Sequence, residues 1–181
     1  MMNPVETTLE NDHHSLAKLL GELEAGLVQG NISHSFDLLD SFWARLAVHI
    51  RAENLALFPT LSEVPSNQFN AANDLPSFAK AEELLSRLRA DHDFFMKELA
   101  STVKVMRRMK ETDSASSDQL EDLRKRLTVI DERLREHNRL EEEQVYKWPT
   151  VLLDAQTLSE LHNRIRREIG NVPSRFKCLI D

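Results

Sequence analysis

Residues 49–59 read HIRAENLALFP. His49 and Glu53 stand four apart among Leu46, Ala56 and other apolar residues, so on a helix they share the face that packs inward. A helix seam that turns polar at two matched positions needs an explanation in chemistry. An isolated buried carboxylate costs several kcal/mol by order of magnitude.

The same steps of three and four extend outward from this stretch. They continue through Phe42 and Leu46 before it, and recur in Leu9, His13, Leu16, Leu20, Leu23 and Leu27. A third seam runs Leu85, Leu88, His92, Phe95, Leu99, Thr102, Met106 and Met109. A fourth runs Leu120, Leu123, Leu127, Ile130, Leu134, His137 and Glu141. These periods predict four long helices over about 7–28, 34–58, 77–110 and 117–147, with a shorter one over 155–169. QGNIS at 29–33, the three-proline stretch 59–76, KETDSASSD at 110–118 and the Tyr146–Pro149 stop divide them. Thr7 with Glu10 has the form of a capping box, and Ser77, Ser117 and Asp118 are candidate caps. Short turns make antiparallel neighbours of the first two and of the last two helices. The expected fold is all-α, an antiparallel up-down-up-down four-helix bundle over 1–150, with a short C-terminal helix and tail over 151–181 packed on the same domain.

Composition agrees and narrows the function. Among 181 residues only 4 are Gly and 6 Pro, and a net charge of −7 argues against a general nucleic-acid binder. Cys178 is the only cysteine, so no intrachain disulfide is possible, which fits a reducing, cytoplasmic setting. MMNPVETTLEND lacks a basic and an apolar region, so no signal peptide is expected, and no apolar run is long enough to span a membrane.

The seams carry six matched polar exceptions: His13, His49, Glu53, His92, His137 and Glu141. The midpoint of His13 and His49 is residue 31, and that of His92 and His137 lies between 114 and 115, each inside a turn located without the histidines. Each pair is therefore expected to meet across its own hairpin, the first roughly 27 Å from its turn. The chain also repeats itself. Asp12-His13 matches Asp91-His92, and His49-x-x-x-Glu53 matches His137-x-x-x-Glu141. Divalent metal explains the layer, because neutral imidazoles and carboxylates are ligands, and mixed N/O donors suit iron, with manganese or zinc possible. Two octahedral ions need twelve positions: four histidines, two bridging carboxylates and one bridging oxygen leave two for water or a small ligand.

Other residues have plainer readings. His14 is turned about 100° from His13 and away from the seam, so His13 is preferred. His34 and His162 are read as solvated, although His162 can reach the site if the last helix caps the bundle. Glu142 is a secondary ligand candidate that is expected to face water with Glu143. Glu10-x-x-His13 mimics half of a ferritin-type motif, but its repeat partner is Arg89. Met96, Met106 and Met109 read as core filler, and Arg164, Arg166, Arg167, Arg175 and Lys177 as a solvated face. Phe58, Phe69, Tyr146 and Trp148 are placed to close the bundle end beside the 59–76 loop, a candidate gate.

DHHSL, HIRAENLALFP, DHDFF and EHNRLEEEQVY together resemble the hemerythrin-like (HHE cation-binding) family over about 10–149. The resemblance implies a non-haem di-iron centre held by His13, His49, Glu53, His92, His137 and Glu141, and binding of O2 or NO, or iron handling and stress repair. Oxygen carriers of that family have another histidine one turn away on the third helix, where this chain has Leu88 and Met96, and an aspartate five after the last histidine, where it has Glu142. The chain is closer to the bacterial four-His, two-Glu branch; the di-iron repair proteins share that ligand set but carry a cysteine-containing N-terminal region absent here. Two functions follow: a module binding a small diatomic ligand in sensing, scavenging or storage, or a redox or iron-centre repair factor acting on peroxide, NO or iron. A metal-free helical adaptor is the third reading.

Overall fold

A computed structural model describes residues 3–72, 74–112 and 116–179, with side chains to Phe176. The expected turn centre at 114–115 and the side chains of Lys177 and Cys178 fall outside the described residues. All regular structure among the described residues is helical. The long helices are α1 (Pro4–Val28), α2 (Ile32–Ala52), α5 (Phe78–Thr112) and α6 (Ser117–Glu143). Shorter ones are α3 (Phe58–Ser62), α4 (Ser66–Ala71), α7 (Trp148–Leu152) and α8 (Ala155–Gly170). A π-helical turn (Glu53–Leu57) joins α2 to α3, and 3-10 turns cover Val145–Lys147 and Ser174–Leu179.

Local chemistry sets the ends. The first helix starts at Pro4 rather than near residue 7, because Asn3 accepts the Val5 and Glu6 N–H groups and Pro4 has no N–H to orphan. Gly30 takes φ +72°, a left-handed value that suits glycine, and Asn31 then caps α2 through the His34 N–H. Ser116, one residue before the expected caps, forms a reciprocal capping box with Gln119. Asp154 caps α8 by accepting the Thr157 N–H.

Two segments depart from the expected pattern. The 59–76 stretch contains α3 and α4 because Pro59 and Pro65 stand at helix starts, where a missing N–H costs little. Pro59 cannot donate back to Leu55 O, and the Arg164 guanidinium supplies that bond at 2.7 Å. The fourth helix stops at Glu143 instead of 147, since Gln144 (φ −125°, ψ −74°) leaves the helical region before the 3-10 turn.

In the bundle α1 packs on α2, α2 on α5, α5 on α6 and α6 back on α1, while α8 lies against α1 and α2. Two apolar clusters result. One, toward the Gly30 turn, is built on Leu20, Leu23, Leu39, Phe42, Leu99 and Leu127. The other, at the opposite end, gathers Phe58, Phe69, Tyr146, Trp148, Leu161 and Ile165. Burial of such side chains stabilises by about 1.5–3 kcal/mol each before entropy is subtracted. His13, His49, Glu53, His92, His137 and Glu141 are all buried, in helices that contribute to both clusters. No helix among the described residues is long and apolar enough to cross a membrane.

Candidate metal centre

The structure brings all six sequence-selected residues together. His13 and His49 approach with Nε2 atoms 3.0 Å apart, and His92 and His137 with theirs at 3.1 Å, so each pair meets across its own hairpin. His14 is exposed, and so is His34. His162 lies half-buried against Thr8, outside the layer. Leu88, Met106 and Met109 are buried core residues.

The donors form two overlapping groups. His13, His49, Glu53 and Glu141 make one, and Glu53, His92, His137 and Glu141 the other, with ligand atoms in each within 4.8 Å of one another. Each carboxylate serves both. Glu53 Oε1 is 3.5 Å from His49 Nε2 while its Oε2 is 3.2 Å from His92 Nε2. Glu141 Oε2 is 3.5 Å from His13 Nε2 while its Oε1 is 3.2 Å from His137 Nε2. Glu53 Oε2 and Glu141 Oε1 are buried without a hydrogen bond, the arrangement that protein interiors avoid and that a cation between them would satisfy. The residues fit metal: nitrogen and oxygen donors converge, and two of the oxygens make no hydrogen bond, only 3.2 Å approaches to His92 and His137 Nε2.

An outer ring of acceptors turns the imidazoles. His49 Nδ1 donates to Asp12 Oδ2 at 2.9 Å, and Arg45 donates to Asp12 Oδ1 at 2.7 Å. His137 Nδ1 lies 3.4 Å from Asp91 Oδ2, and Arg133 donates to Asp91 Oδ1. His13 Nδ1 donates to Glu142 at 2.8 Å, and His92 Nδ1 to Asn54 Oδ1 at 3.2 Å. A proton held at Nδ1 leaves Nε2 as the free donor, pointing at the centre. Glu142, expected to face water, is instead half-buried and holds His13.

The ring obeys the sequence repeat. Arg45, His49 and Glu53 rise in steps of four, as do Arg133, His137 and Glu141, and Asp12 or Asp91 braces the Arg and His of each set. The residue after each glutamate, Asn54 or Glu142, holds a histidine of the other hairpin. Five residues after each glutamate come Phe58 and Tyr146. Phe58 stacks on His92 with ring centroids 5.6 Å apart, and Tyr146 leans on His13 at 5.5 Å. The π turn, with the Phe58 N–H donating to Glu53 O, brings the first inward, and the break at Gln144 brings the second.

Charges within the layer compensate one another without metal. Burial alone would lower His49 and His137, but Glu53 and Asp12 drive His49 well above its ordinary value, and Glu141 and Asp91 raise His137 to about 10. Burial opposes Glu53 too, and the His49 and His92 contacts hold it well below the usual carboxylate range. Burial and the Glu53 charge push Glu141 up, yet His137 and His13 keep it below its ordinary value. Burial and the two glutamates keep the Tyr146 phenol neutral, its pKa well above the usual 10.0.

A helical bundle with two overlapping His/Glu clusters in its interior is able to bind metal. The chain belongs to the Hemerythrin HHE cation binding domain family, whose profile matches residues 5–148. No curated protein and no solved structure matches it.

Proposed function

We propose that this chain is a non-haem di-iron protein that binds a small ligand, O2 or NO, in sensing, scavenging or storage. His13 and His49 would hold one ion, His92 and His137 the other, with Glu53 and Glu141 bridging; manganese and zinc are alternative occupants. The carrying observation is that each glutamate places one oxygen in each group of donors. Bound iron would supply redox chemistry and open positions for a diatomic molecule; the protein supplies orientation through Asp12, Asp91, Asn54 and Glu142. An antiparallel up-down-up-down bundle is part of this reading. It is supported by contacts whose numbers rise on one helix as they fall on the next, His13 with His49 and Gly26 with Ser35, or Asn54 with His92 and Asp37 with Lys110. We place residues 1–150 and 151–181 in one domain, supported by α8 packing on α1 and α2, and the protein in the cytoplasm.

One observation favours a second reading, a redox or iron-centre repair factor acting on peroxide, NO or iron: an oxidisable phenol, Tyr146, lies among the donors. Metal analysis of the purified protein, with absorption spectra in reduced and oxidised states, tests the proposal alongside His49→Ala and Glu141→Ala. Two irons per chain in the wild type and fewer in the variants are expected. No bound iron, and variants with unchanged stability, would overturn it. Exposure of the reduced protein to O2 separates the two readings: a spectrum that reverses when O2 is removed favours binding, and irreversible oxidation with turnover favours redox or repair.

A further inference from the structure

The six-residue layer leaves one polar group inside it unused. The Tyr146 hydroxyl is fully buried and donates to Glu53 Oε1 at 2.6 Å. It also lies 3.1 Å from Glu141 Oε2, 3.1 Å from His13 Nε2 and 3.5 Å from His49 Nε2. Those four atoms belong to the four residues of one donor group. We propose that Tyr146 is a seventh protein ligand, coordinating the ion held by His13 and His49. The inference rests on the di-metal reading above.

Spacing is the first argument. In an octahedral shell with bonds near 2.1 Å, neighbouring donor atoms stand about 3 Å apart. Three neighbouring pairs of this group come close to that spacing, His13–His49 at 3.0 Å and His13–Glu141 and His49–Glu53 at 3.5 Å, and all four donor atoms lie within 4.8 Å of one another. The phenol oxygen keeps it to all four, as an apical donor does above four basal ones.

Construction is the second. In an unbroken helix residue 146 would stand about 140° round from Glu141 and face away from the layer. The chain breaks at Gln144 and turns Tyr146 inward, and the Asn3 side chain fixes that turn by donating to the Tyr146 carbonyl at 2.7 Å.

The third argument is the repeat. Phe58 occupies the equivalent place beside the other donor group, so the two groups differ there by a hydroxyl. The accompanying exchange of Asn54 for Glu142 adds a carboxylate behind His13, on the phenol's side of the layer. Both differences enrich the His13–His49 side in anionic donors, which suits an ion of higher charge. On coordination the phenol oxygen replaces its bond to hydrogen with one to the cation, and the proton leaves to solvent; no electron is transferred.

Tyr146 is the only tyrosine in the chain, so any tyrosinate signal is assigned to it. The test is to load the metal-free protein with iron(II), oxidise it to iron(III), and record the visible and resonance Raman spectra of wild type and Tyr146→Phe with iron stoichiometry. Expected are a phenolate-to-iron(III) charge-transfer band with enhanced phenolate ring modes in the wild type, and loss of both in a variant that still holds two irons. The wild-type Raman spectrum decides the matter even if the variant fails to fold. Two irons without phenolate modes would overturn the inference and leave the di-iron reading standing. No bound iron would overturn both.

Discussion

Asp12→Asn tests how the layer is oriented. Asp12 is buried and receives two donors at once, His49 Nδ1 at 2.9 Å and the Arg45 guanidinium at 2.7 Å. An asparagine of nearly the same shape has one acceptor and one donor. Its oxygen turns to the charged arginine, and its NH2 then faces Nδ1, which must become an acceptor. The His49 proton moves to Nε2, the atom needed for metal. Loss of such an outer partner weakens metal binding by about 10–100-fold, or ~1.4–2.7 kcal/mol. Asp91→Asn provides the internal control. Its contact to His137 Nδ1 is longer, at 3.4 Å, while both Arg133 bonds fall on the other oxygen. Its expected loss is therefore the smaller, below about 10-fold. Competition against a chromophoric chelator at neutral pH measures both, with thermal melts in excess chelator to separate folding from binding. Wild-type affinity in Asp12→Asn, or a larger loss in Asp91→Asn, would refute the reasoning.

Two further outcomes follow from the same geometry. With His137 raised from 6.5 to about 10, its contribution to the metal-free protein is complete below 6.5 and is lost as pH rises through 10; Asp12 and Glu53, both lowered, contribute above the usual carboxylate range and lose that contribution in acid. Metal requires neutral imidazoles, so the gap in melting temperature between loaded and chelator-treated protein should widen from mildly acidic to mildly alkaline buffer; a gap that widens toward acid would contradict this. At the α1–α2 crossing, a Cβ on Gly26 would stand 2.6 Å from Ser35 Oγ, which is buried and makes no hydrogen bond. Gly26→Ala should cost about 1–3 kcal/mol of overpacking, whereas Gly26→Ala with Ser35→Ala should recover it and add up to ~1 kcal/mol of helix propensity, as urea melts would show; a single variant as stable as wild type would refute the close approach.

Much of this was legible in the sequence, for identifiable reasons. Helix periods were long, and polar residues on apolar seams have few explanations, so His13, His49, Glu53, His92, His137 and Glu141 could be read directly. Hairpin midpoints then paired the histidines. The outer ring was harder. Asp12 and Asp91 were visible as part of a repeat, but their task depends on side-chain reach across two helices. Glu142 sits next to a seam residue and looks solvated until α1 is placed beside it. Tyr146 was legible as an aromatic closing the bundle end, but not as a group inside the donor layer. The fourth period extrapolates to residue 147, and nothing in Glu143-Gln144-Val145 carries a glycine or proline to announce the break. Asn3-Pro4 outcompeted Thr7 and Glu10 as a start signal because Asn3 also ties the chain to the Tyr146 carbonyl.

The repeat gives these details a common meaning. Two hairpins on one plan would produce two equivalent halves, each with an aspartate bracing an arginine and a histidine. Such a layer would treat two ions alike. The plan is broken at two positions near the centre, 54 against 142 and 58 against 146, and both changes add oxygen to the same half. The long contact of Asp91 to His137, against the short one of Asp12 to His49, points the same way. On the di-metal reading, the half around His13 and His49 would offer its ion more oxygen donors, which favour a higher charge. On the same reading, the half around His92 and His137, walled by Phe58 and Phe95, would keep the fewer anionic donors and therefore the ion that is easier to reduce.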